Sequence, residues 1–184
     1  MLKLHFTKKL VIYVLSGLLF NSVIFASDIL TETGMIEKKI QELQLFLPTL
    51  SSPGGNYVPT VVVGKLVYIS GQIPKENGQV KFVGKVGDNI SEADAIKAAE
   101  LCALNILAQL KAAGLLDKVK RCIKLTGYVN AMTNFTNHPK IINGASDLLV
   151  KLWRDQGKHA RAAIGVSSLP SGVVVEIDAI FEIE

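Results

Sequence analysis

Two charged residues near the carboxyl end of the chain stand among apolar residues that are typical of β-strands. Arg161 is the only Arg or Lys in segment 160–166, and Glu176 lies between Val175 and Ile177. Such charges must pair, bind a ligand or face solvent, because burying an unpaired charge is costly. A guanidinium can hold a carboxylate through two hydrogen bonds, and a glutamate can accept a proton from an attacking water. Charges on strands more often mark the solvated face of a half-buried sheet, so the residue types alone do not establish a function.

Two segments upstream hold further candidate ligand-binding residues. Tyr57 follows the loop 51–55, which reads Ser-Ser-Pro-Gly-Gly, and Ser70 and Gly71 open a Ser-Gly-Gln-Ile-Pro segment. Gly71 would let the backbone approach a ligand closely, while the Ser70 hydroxyl and nearby N–H groups could hold a carboxylate or carbonyl oxygen. The structural alternatives are a tyrosine that packs at the start of a strand and a strand that ends in a turn.

Taken together, these residues resemble the RidA (YjgF) family. The shared pattern is Arg161, Ile164-Gly165-Val166, Leu169-Pro170 and Val175-Glu176-Ile177-Asp178, preceded by the short motif Ser70-Gly71-Gln72-Ile73-Pro74. The resemblance spans residues 36–184. It implies an α+β, chorismate-mutase-like fold with a mixed sheet and two helices on one face. It also implies a homotrimer with a central barrel and a ligand cleft at each subunit interface.

The resemblance implies hydrolysis of 2-imino acids and their enamine tautomers to 2-keto acids and ammonia, without a cofactor. Arg161 matches the carboxylate-binding arginine of the family, and Glu176 matches the carboxylate that positions a water. Tyr57 matches an aromatic residue that closes the cleft, and Ser70 and Gly71 would complete its polar wall. The expected partners are therefore a small carboxylate-bearing imine, enamine or keto acid and further copies of the same chain.

Two further positions are matched to the family with differences. Ala163 stands where many family enzymes have a cysteine. The alanine keeps the backbone carbonyl that the family uses at this position, but it excludes thiol-dependent behaviour. Asn143 is matched to a family asparagine, although the approach to its helix is a few residues longer here. An exposed or capping amide is the structural alternative for Asn143.

Two other functions stay open. A non-catalytic module that binds small carboxylates such as keto acids would need Arg161 but not Glu176. Ribonuclease activity or translation inhibition is ascribed to some relatives, but residues 27–184 carry 17 basic and 16 acidic side chains, a net charge of +1. A nearly neutral domain without a basic stripe argues against nucleic acid as a partner. The three histidines are scattered along the chain, so no metal site is expected.

The first 26 residues combine three lysines and no acidic residue with an apolar run from Leu10 to Ala26. This pattern predicts a signal peptide that is cleaved after Ala26, or alternatively a membrane anchor. Cleavage would leave one RidA-like domain, residues 27–184, in the periplasm or outside the cell, without stable membrane contact. Translation from Met35 would instead give a cytoplasmic protein. Cys102 and Cys122 are too few for a disulfide framework and are expected to be small buried residues.

Sequence periodicity predicts three helices: 36–47, a second that Ser91 caps and Gly114 ends, and a third that runs from Pro139 towards Gly157. Strands are expected at 60–63, 66–70, 80–83 and 123–130 and in two final segments joined by a Pro/Gly turn. In the last strand, Glu176, Asp178 and Ile180 are expected to face one way, and Ile177, Ala179 and Phe181 the other. Apolar residues occupy both faces of the strands while the helices can cover only one, so an oligomer is expected.

Overall fold

The computed structural model of the protein describes residues 34–184. The predicted signal peptide or anchor, residues 1–26, lies outside the described residues, as do residues 27–33. Within residues 34–184, no helix is long and apolar enough to cross a membrane.

A five-stranded mixed sheet forms one layer of the fold. Its strands follow the order β1-β2-β7-β5-β6, and only the β5–β6 pair is parallel. The parallel pair needs a crossover connection, and an α-helix supplies it. The strands are β1 (Thr60–Val63), β2 (Leu66–Gln72), β5 (Val119–Asn130), β6 (Ala160–Val166) and β7 (Val175–Ile183), and a separate two-stranded sheet consists of β3 (Lys75–Glu76) and β4 (Gln79–Val80).

Two long helices cover one face of the five-stranded sheet. They are α2 (Glu92–Ala112) and α3 (His138–Trp153), and a short helix, α1 (Met35–Glu42), precedes the first strand. The Ser91 hydroxyl accepts a hydrogen bond from the backbone N–H of Asp94, which confirms the predicted cap of α2. Helix α2 packs against β2 and β7, and α3 packs against β5 and β6. The predicted α+β class with two helices on one face is thus confirmed.

The alternation of β7 divides its residues between the two faces of the sheet. Ile177, Ala179 and Phe181 are buried under the helices, whereas Glu176 and Asp178 are only partly buried on the opposite face. This division of the β7 side chains between the two faces of the sheet is the one that the sequence predicted. The helix-covered side forms the core, together with the apolar stripes of α2 and α3.

The face of the sheet without helices keeps several large apolar side chains exposed. Val61 and Val63 of β1, Tyr68 of β2 and Ile164 of β6 are each between 41% and 61% exposed. Their strand positions place them on the side of Ile180, away from the helices. An apolar sheet face of this kind calls for a partner, so the homotrimer stays the prediction that best accounts for it.

Three element predictions were wrong in their bounds. Strand β5 begins at Val119 instead of residue 123. Helix α1 ends at Glu42 instead of residue 47, because Gln44 takes a positive φ of 54° and the Leu45 N–H turns back to the Ile40 carbonyl. Leu43 is consequently exposed instead of continuing the buried face. The strand expected at 80–83 contributes only its first residue to β4, and Val83 makes an isolated bridge to Val173. The two final strands are joined by the predicted turn, but β5 lies between them.

The contact between α2 and α3 depends on Gly144. A Cβ atom at this position would collide with the backbone carbonyl oxygen of Ile96 in α2. Glycine inside a helix ordinarily costs about 1 kcal/mol relative to alanine. Here the close approach reverses that preference, because neither backbone can give way without moving a helix.

We therefore expect Gly144→Ala to lower the free energy of unfolding by about 1–3 kcal/mol through overpacking. Chemical denaturation of the full chain would measure this loss. Gly54→Ala is the control, because nothing lies within 4 Å of a Cβ atom at Gly54. A Gly144→Ala variant as stable as Gly54→Ala, or more stable than the parent, would contradict the close helix contact.

Candidate functional site

The carboxylate of Glu176 lies beside a β-bulge in β2. The pairing of β2 with β7 shifts by one residue between Ile69 and Gln72, so Gly71 sits in the irregular part of the strand. A Cβ atom at Gly71 would collide with the Glu176 carboxylate. Gly71 therefore acts through its missing side chain, which leaves room for the carboxylate of the neighbouring strand.

Burial and a second carboxylate both act on the acidity of Glu176. Burial is the larger cause, and it raises the pKa of Glu176 above its ordinary value; Asp178, two residues along the same face, raises it further. The Tyr128 hydroxyl donates to Asp178 Oδ2 at 3.1 Å, and Tyr128 is paired with Glu176 across the sheet. A carboxylate with a raised pKa is a better proton acceptor than an ordinary surface glutamate.

Glu176 opens into a cleft of about 350 Å³ at the end of β2. Residues 49–54 cover the cleft, and Tyr57 stands at its rim with 54% of its surface exposed. The structure thus brings Tyr57, Gly71 and Glu176 together. Ser70 is adjacent in sequence, but its hydroxyl donates to the Val58 carbonyl at 2.8 Å and does not line the cleft. Ser70 thus holds the segment that precedes β1, and its place in the polar wall of a ligand cleft stays a prediction.

A second group of predicted residues surrounds Arg161 at the start of β6. Arg161 Nη1 donates to Asn143 Oδ1 at 2.8 Å and to the Ser146 hydroxyl at 3.0 Å, both on α3. Among the described residues, Nη2 and Nε donate to no acceptor, so these two nitrogens, with three N–H groups between them, can take a ligand. Asn143 therefore orients the guanidinium.

His159 completes this second group by holding Ser146. The Nδ1 atom of His159 lies 2.6 Å from the Gly157 carbonyl oxygen, and Nε2 lies 3.1 Å from the Ser146 hydroxyl. A carbonyl can only accept, so Nδ1 carries the proton and Nε2 accepts from Ser146. Burial lowers the pKa of His159, and Arg161 lowers it further, while the Gly157 carbonyl opposes them. A neutral His159 leaves Arg161 as the positive charge of this group.

Within one copy of the chain, the two groups lie apart. Leu125 of β5 pairs with Arg161 on one side and with Ala179 on the other, so all three leave the sheet on the helix-covered face. Glu176 leaves on the opposite face. Two strand spacings, about 10 Å, also separate β6 from β7. Ala163 shares the face of Arg161 and packs against the core.

Several residues of both groups were not singled out in the sequence. Two carboxamides of α2 line the cleft of Glu176, although α2 was expected only to cover the sheet. Asn105 and Gln109 are spaced four residues apart within an otherwise apolar stripe, and that spacing was the available signal. Nothing in the sequence pointed to Ser146 and His159, because their contact depends on the turn that joins α3 to β6.

The remaining chemistry of the described residues is limited. No group of three His, Cys, Asp or Glu side chains in residues 34–184 could hold a metal ion. Cys102 and Cys122 are buried, as predicted, and they do not form a disulfide with each other. Burial raises the pKa of the Cys102 thiol well above its ordinary value and that of Cys122 to about 12, so neither is a ready nucleophile.

The chain belongs to the YjgF family, since residues 37–180 match the family model described as "YjgF/chorismate mutase-like, putative endoribonuclease". Protein TCP17 of Trypanosoma cruzi is 39% identical over 153 residues, which cover 82% of this chain and 96% of that protein. The solved structure of Atu1372 from Agrobacterium tumefaciens, a protein of unknown function, is 48% identical and superposes with a TM-score of 0.74, covering 81% of this chain and 94% of that one. The predicted family and chorismate-mutase-like fold are therefore confirmed.

Two more distant relatives carry names that bear on function. The 2-iminobutanoate/2-iminopropanoate deaminase of Dermatophagoides farinae is 29% identical over 138 residues, which cover 74% of this chain and 93% of that protein. The structure of Escherichia coli TdcF with bound serine is 27% identical with a TM-score of 0.53, and it covers 74% of this chain and 93% of that one.

The raised pKa of Glu176 predicts how stability responds to pH. Its carboxyl ionises less readily in the folded than in the unfolded chain, so its charge opposes folding at neutral pH. We expect Glu176→Gln to raise the thermal midpoint at pH 7 by about 1–2 °C, a small gain because the carboxyl is partly screened by solvent. The gain should shrink as the pH falls through the raised pKa and disappear below the ordinary value of 4.5, where both states bind the proton.

Thermal unfolding of the parent and of Glu176→Gln between pH 7 and pH 4 would test this. Glu184→Gln, at the exposed last residue, reports the effect of removing one surface carboxylate. A Glu176→Gln variant that is less stable at pH 7 would show that the charge of Glu176 supports the fold.

Proposed function

We propose that the protein hydrolyses 2-imino acids and their enamine tautomers to 2-keto acids and ammonia. The observation that carries this proposal is the pair of complementary groups: a guanidinium whose Nε and Nη2 are unpaired among the described residues, and a partly buried carboxylate of raised pKa in a cleft. The guanidinium of Arg161 can bind the carboxylate of an α-imino acid, and the carboxylate of Glu176 can accept a proton from the water that attacks the imine carbon. The family membership and the deaminase named among the relatives support the same reaction class.

The two groups would meet between copies of the chain. Arg161 lies on the exposed edge strand β6, and Glu176 lies on the face whose apolar residues await a partner. A homotrimer that covers this face can bring Arg161 of one copy to the cleft of the next. Both the apolar face and the divided site then have one explanation, and the ligand cleft lies at the subunit interface.

The proposed reaction needs only positioning and proton transfer. The spare N–H groups of Arg161 hold the substrate carboxylate, while Asn143 and Ser146 fix the guanidinium. Glu176 takes a proton from water as the oxygen bonds to the imine carbon, and it passes that proton to the nitrogen, which gives a carbinolamine. The hydroxyl proton of the carbinolamine then moves through Glu176 to the nitrogen, the carbon–nitrogen bond breaks, and ammonia leaves with the 2-keto acid behind. Tyr57 at the rim would exclude water that is not reacting.

A non-catalytic carboxylate-binding module is the second candidate. The bound serine named for TdcF favours it, because that ligand carries a carboxylate but no imine. Ala163 also leaves the site without the cysteine that many family enzymes have. This function would use Arg161 in the same way, but it would not depend on Glu176. Ribonuclease activity, which the description of the family model includes, has no basic stripe in the described residues to support it.

The deaminase proposal predicts separate losses from the two groups. An amino acid oxidase generates a 2-imino acid, semicarbazide traps it, and hydrolysis by the protein lowers the amount trapped. We expect Arg161→Ala to lose activity because the substrate carboxylate is no longer held. Glu176→Gln should lose at least about a hundredfold in kcat, the usual contribution of a general base.

Two matched variants serve as controls in this assay. Arg154→Ala removes an exposed arginine from the turn after α3, and Glu42→Gln removes an exposed carboxylate from the end of α1, both away from the sheet face that the proposed trimer covers. Both should keep the parent activity. If the parent leaves trapping unchanged for several imino acids, deamination of those substrates is excluded. If Glu176→Gln keeps full activity, the water is activated elsewhere.

A further inference from the structure

The cleft of Glu176 reaches two side chains of α2 that the proposed reaction does not use. Asn105 and Gln109 are only 4% and 8% exposed, and both line the cleft. They lie one helical turn apart among apolar residues. Neither amide oxygen is among the fully buried side-chain atoms that lack a partner in residues 34–184, so each oxygen is open to the cleft.

The orientation of the Asn105 amide follows from its neighbours. Its Nδ2 donates to the Lys75 carbonyl at 2.9 Å and to the Leu101 carbonyl at 2.8 Å. Turning the amide over would place Oδ1 against two carbonyl oxygens, which cannot donate. Oδ1 is therefore held as an acceptor, and no donor within residues 34–184 reaches it.

A chain of hydrogen bonds fixes Gln109 in the same way. Gln72 Nε2 donates to the carbonyls of Ser70 and Gly71, at 2.9 and 3.3 Å, so Gln72 Oε1 must be an acceptor. Gln109 Nε2 donates to that oxygen at 3.3 Å. Gln109 Oε1 is the atom left over, and it too accepts from no donor among the described residues. Backbone carbonyls of the bulge thus set the polarity of a side chain on a different element.

The inner part of the cleft is consequently rich in acceptors. It presents Asn105 Oδ1, Gln109 Oε1 and the carboxylate of Glu176. Lys75 also lines the cleft, but its ammonium donates to the Ser51 hydroxyl at 3.3 Å, in the loop that covers the opening. A ligand that enters deeply must bring N–H groups with it, or the two amide oxygens stay unpaired at a cost.

We propose that Asn105 and Gln109 form a side-chain subsite that selects ligands whose side chain ends in N–H donors, such as a carboxamide or an ammonium group. The subsite deepens the proposed function by naming the class of imino acid that fits. The selection itself acts on binding and needs no catalysis. It can therefore be measured separately from deamination.

The test is equilibrium binding of L-glutamine, L-methionine and L-glutamate to the full-length protein by calorimetry. The three ligands share one backbone and similar length, and none has an imine that could react. L-glutamine should bind roughly tenfold more tightly than L-methionine, since its amide can donate to both oxygens. L-glutamate should bind more weakly than either, because the inner cleft offers it only acceptors.

Two variants assign the preference to Gln109. Gln109→Met keeps the length of the side chain and removes the oxygen, so glutamine and methionine should bind within about twofold of each other. Gln109→Glu keeps an acceptor and adds a charge, so it should shift the preference towards L-lysine even if Gln109→Met folds poorly. Gln156→Met, at an exposed position in the turn 154–157, is the matched control and should keep the parent order of affinities.

Several results would overturn the subsite. The proposal is contradicted if the parent binds glutamine no more tightly than methionine, if it binds glutamate the most tightly, or if it binds none of the three ligands. A glutamine preference in a protein without deaminase activity would keep the subsite and remove the proposed reaction. Deamination of many imino acids without any preference for glutamine would keep the proposed reaction and remove the subsite.

Discussion

The burial of one face of β7 is the constraint on which the rest of the structure depends. Ile177, Ala179 and Phe181 fill the core beneath α2 and α3, so the residues between them must emerge on the other side of the sheet. A slip of one residue would bury Glu176 and Asp178 and expose the apolar set, which the loss of hydrophobic burial forbids. The position of the carboxylate is therefore fixed by packing that has no part in the chemistry. The bulge in β2 and the missing side chain of Gly71 then shape the space that the carboxylate faces.

The same alternation separates the residues that the family pattern joins. Arg161 and Glu176 stand close in the linear motif, yet β5 lies between their strands and their side chains leave opposite faces. The proposed interface between copies would resolve this separation and would also cover Val61 and Val63 of β1. The divided polar groups and the exposed apolar face thus support the same proposed assembly.

Periodic features of the sequence predicted most of the fold. The strict alternation of β7, the Ser91 cap and the apolar stripes of α2 and α3 are local patterns that tertiary contacts reinforce. The prediction of a strand at 80–83 was wrong because the apolar residues of this segment do not form a continuous strand. Phe82 packs against the core, and Val83 forms a bridge to Val173. Helix α1 stops early because Gln44 adopts a left-handed backbone, a local choice that periodicity does not report. The family pattern located Tyr57, Gly71 and Glu176 in one cleft. The family pattern could not identify Asn105 and Gln109, because their place in the cleft depends on which carbonyls of the bulge face α2.

The central claim is that one functional site combines Arg161 of one copy with Glu176 of another. Subunit complementation tests it most directly: Arg161→Ala and Glu176→Gln, each inactive alone, are unfolded together, refolded as a mixture and assayed for imine hydrolysis. In randomly mixed trimers, about a quarter of the interfaces would carry both intact residues, so the mixture should recover roughly a quarter of the parent activity. A mixture as inactive as its two components, from an active parent that forms mixed oligomers, would place both residues in one chain's site and contradict the account.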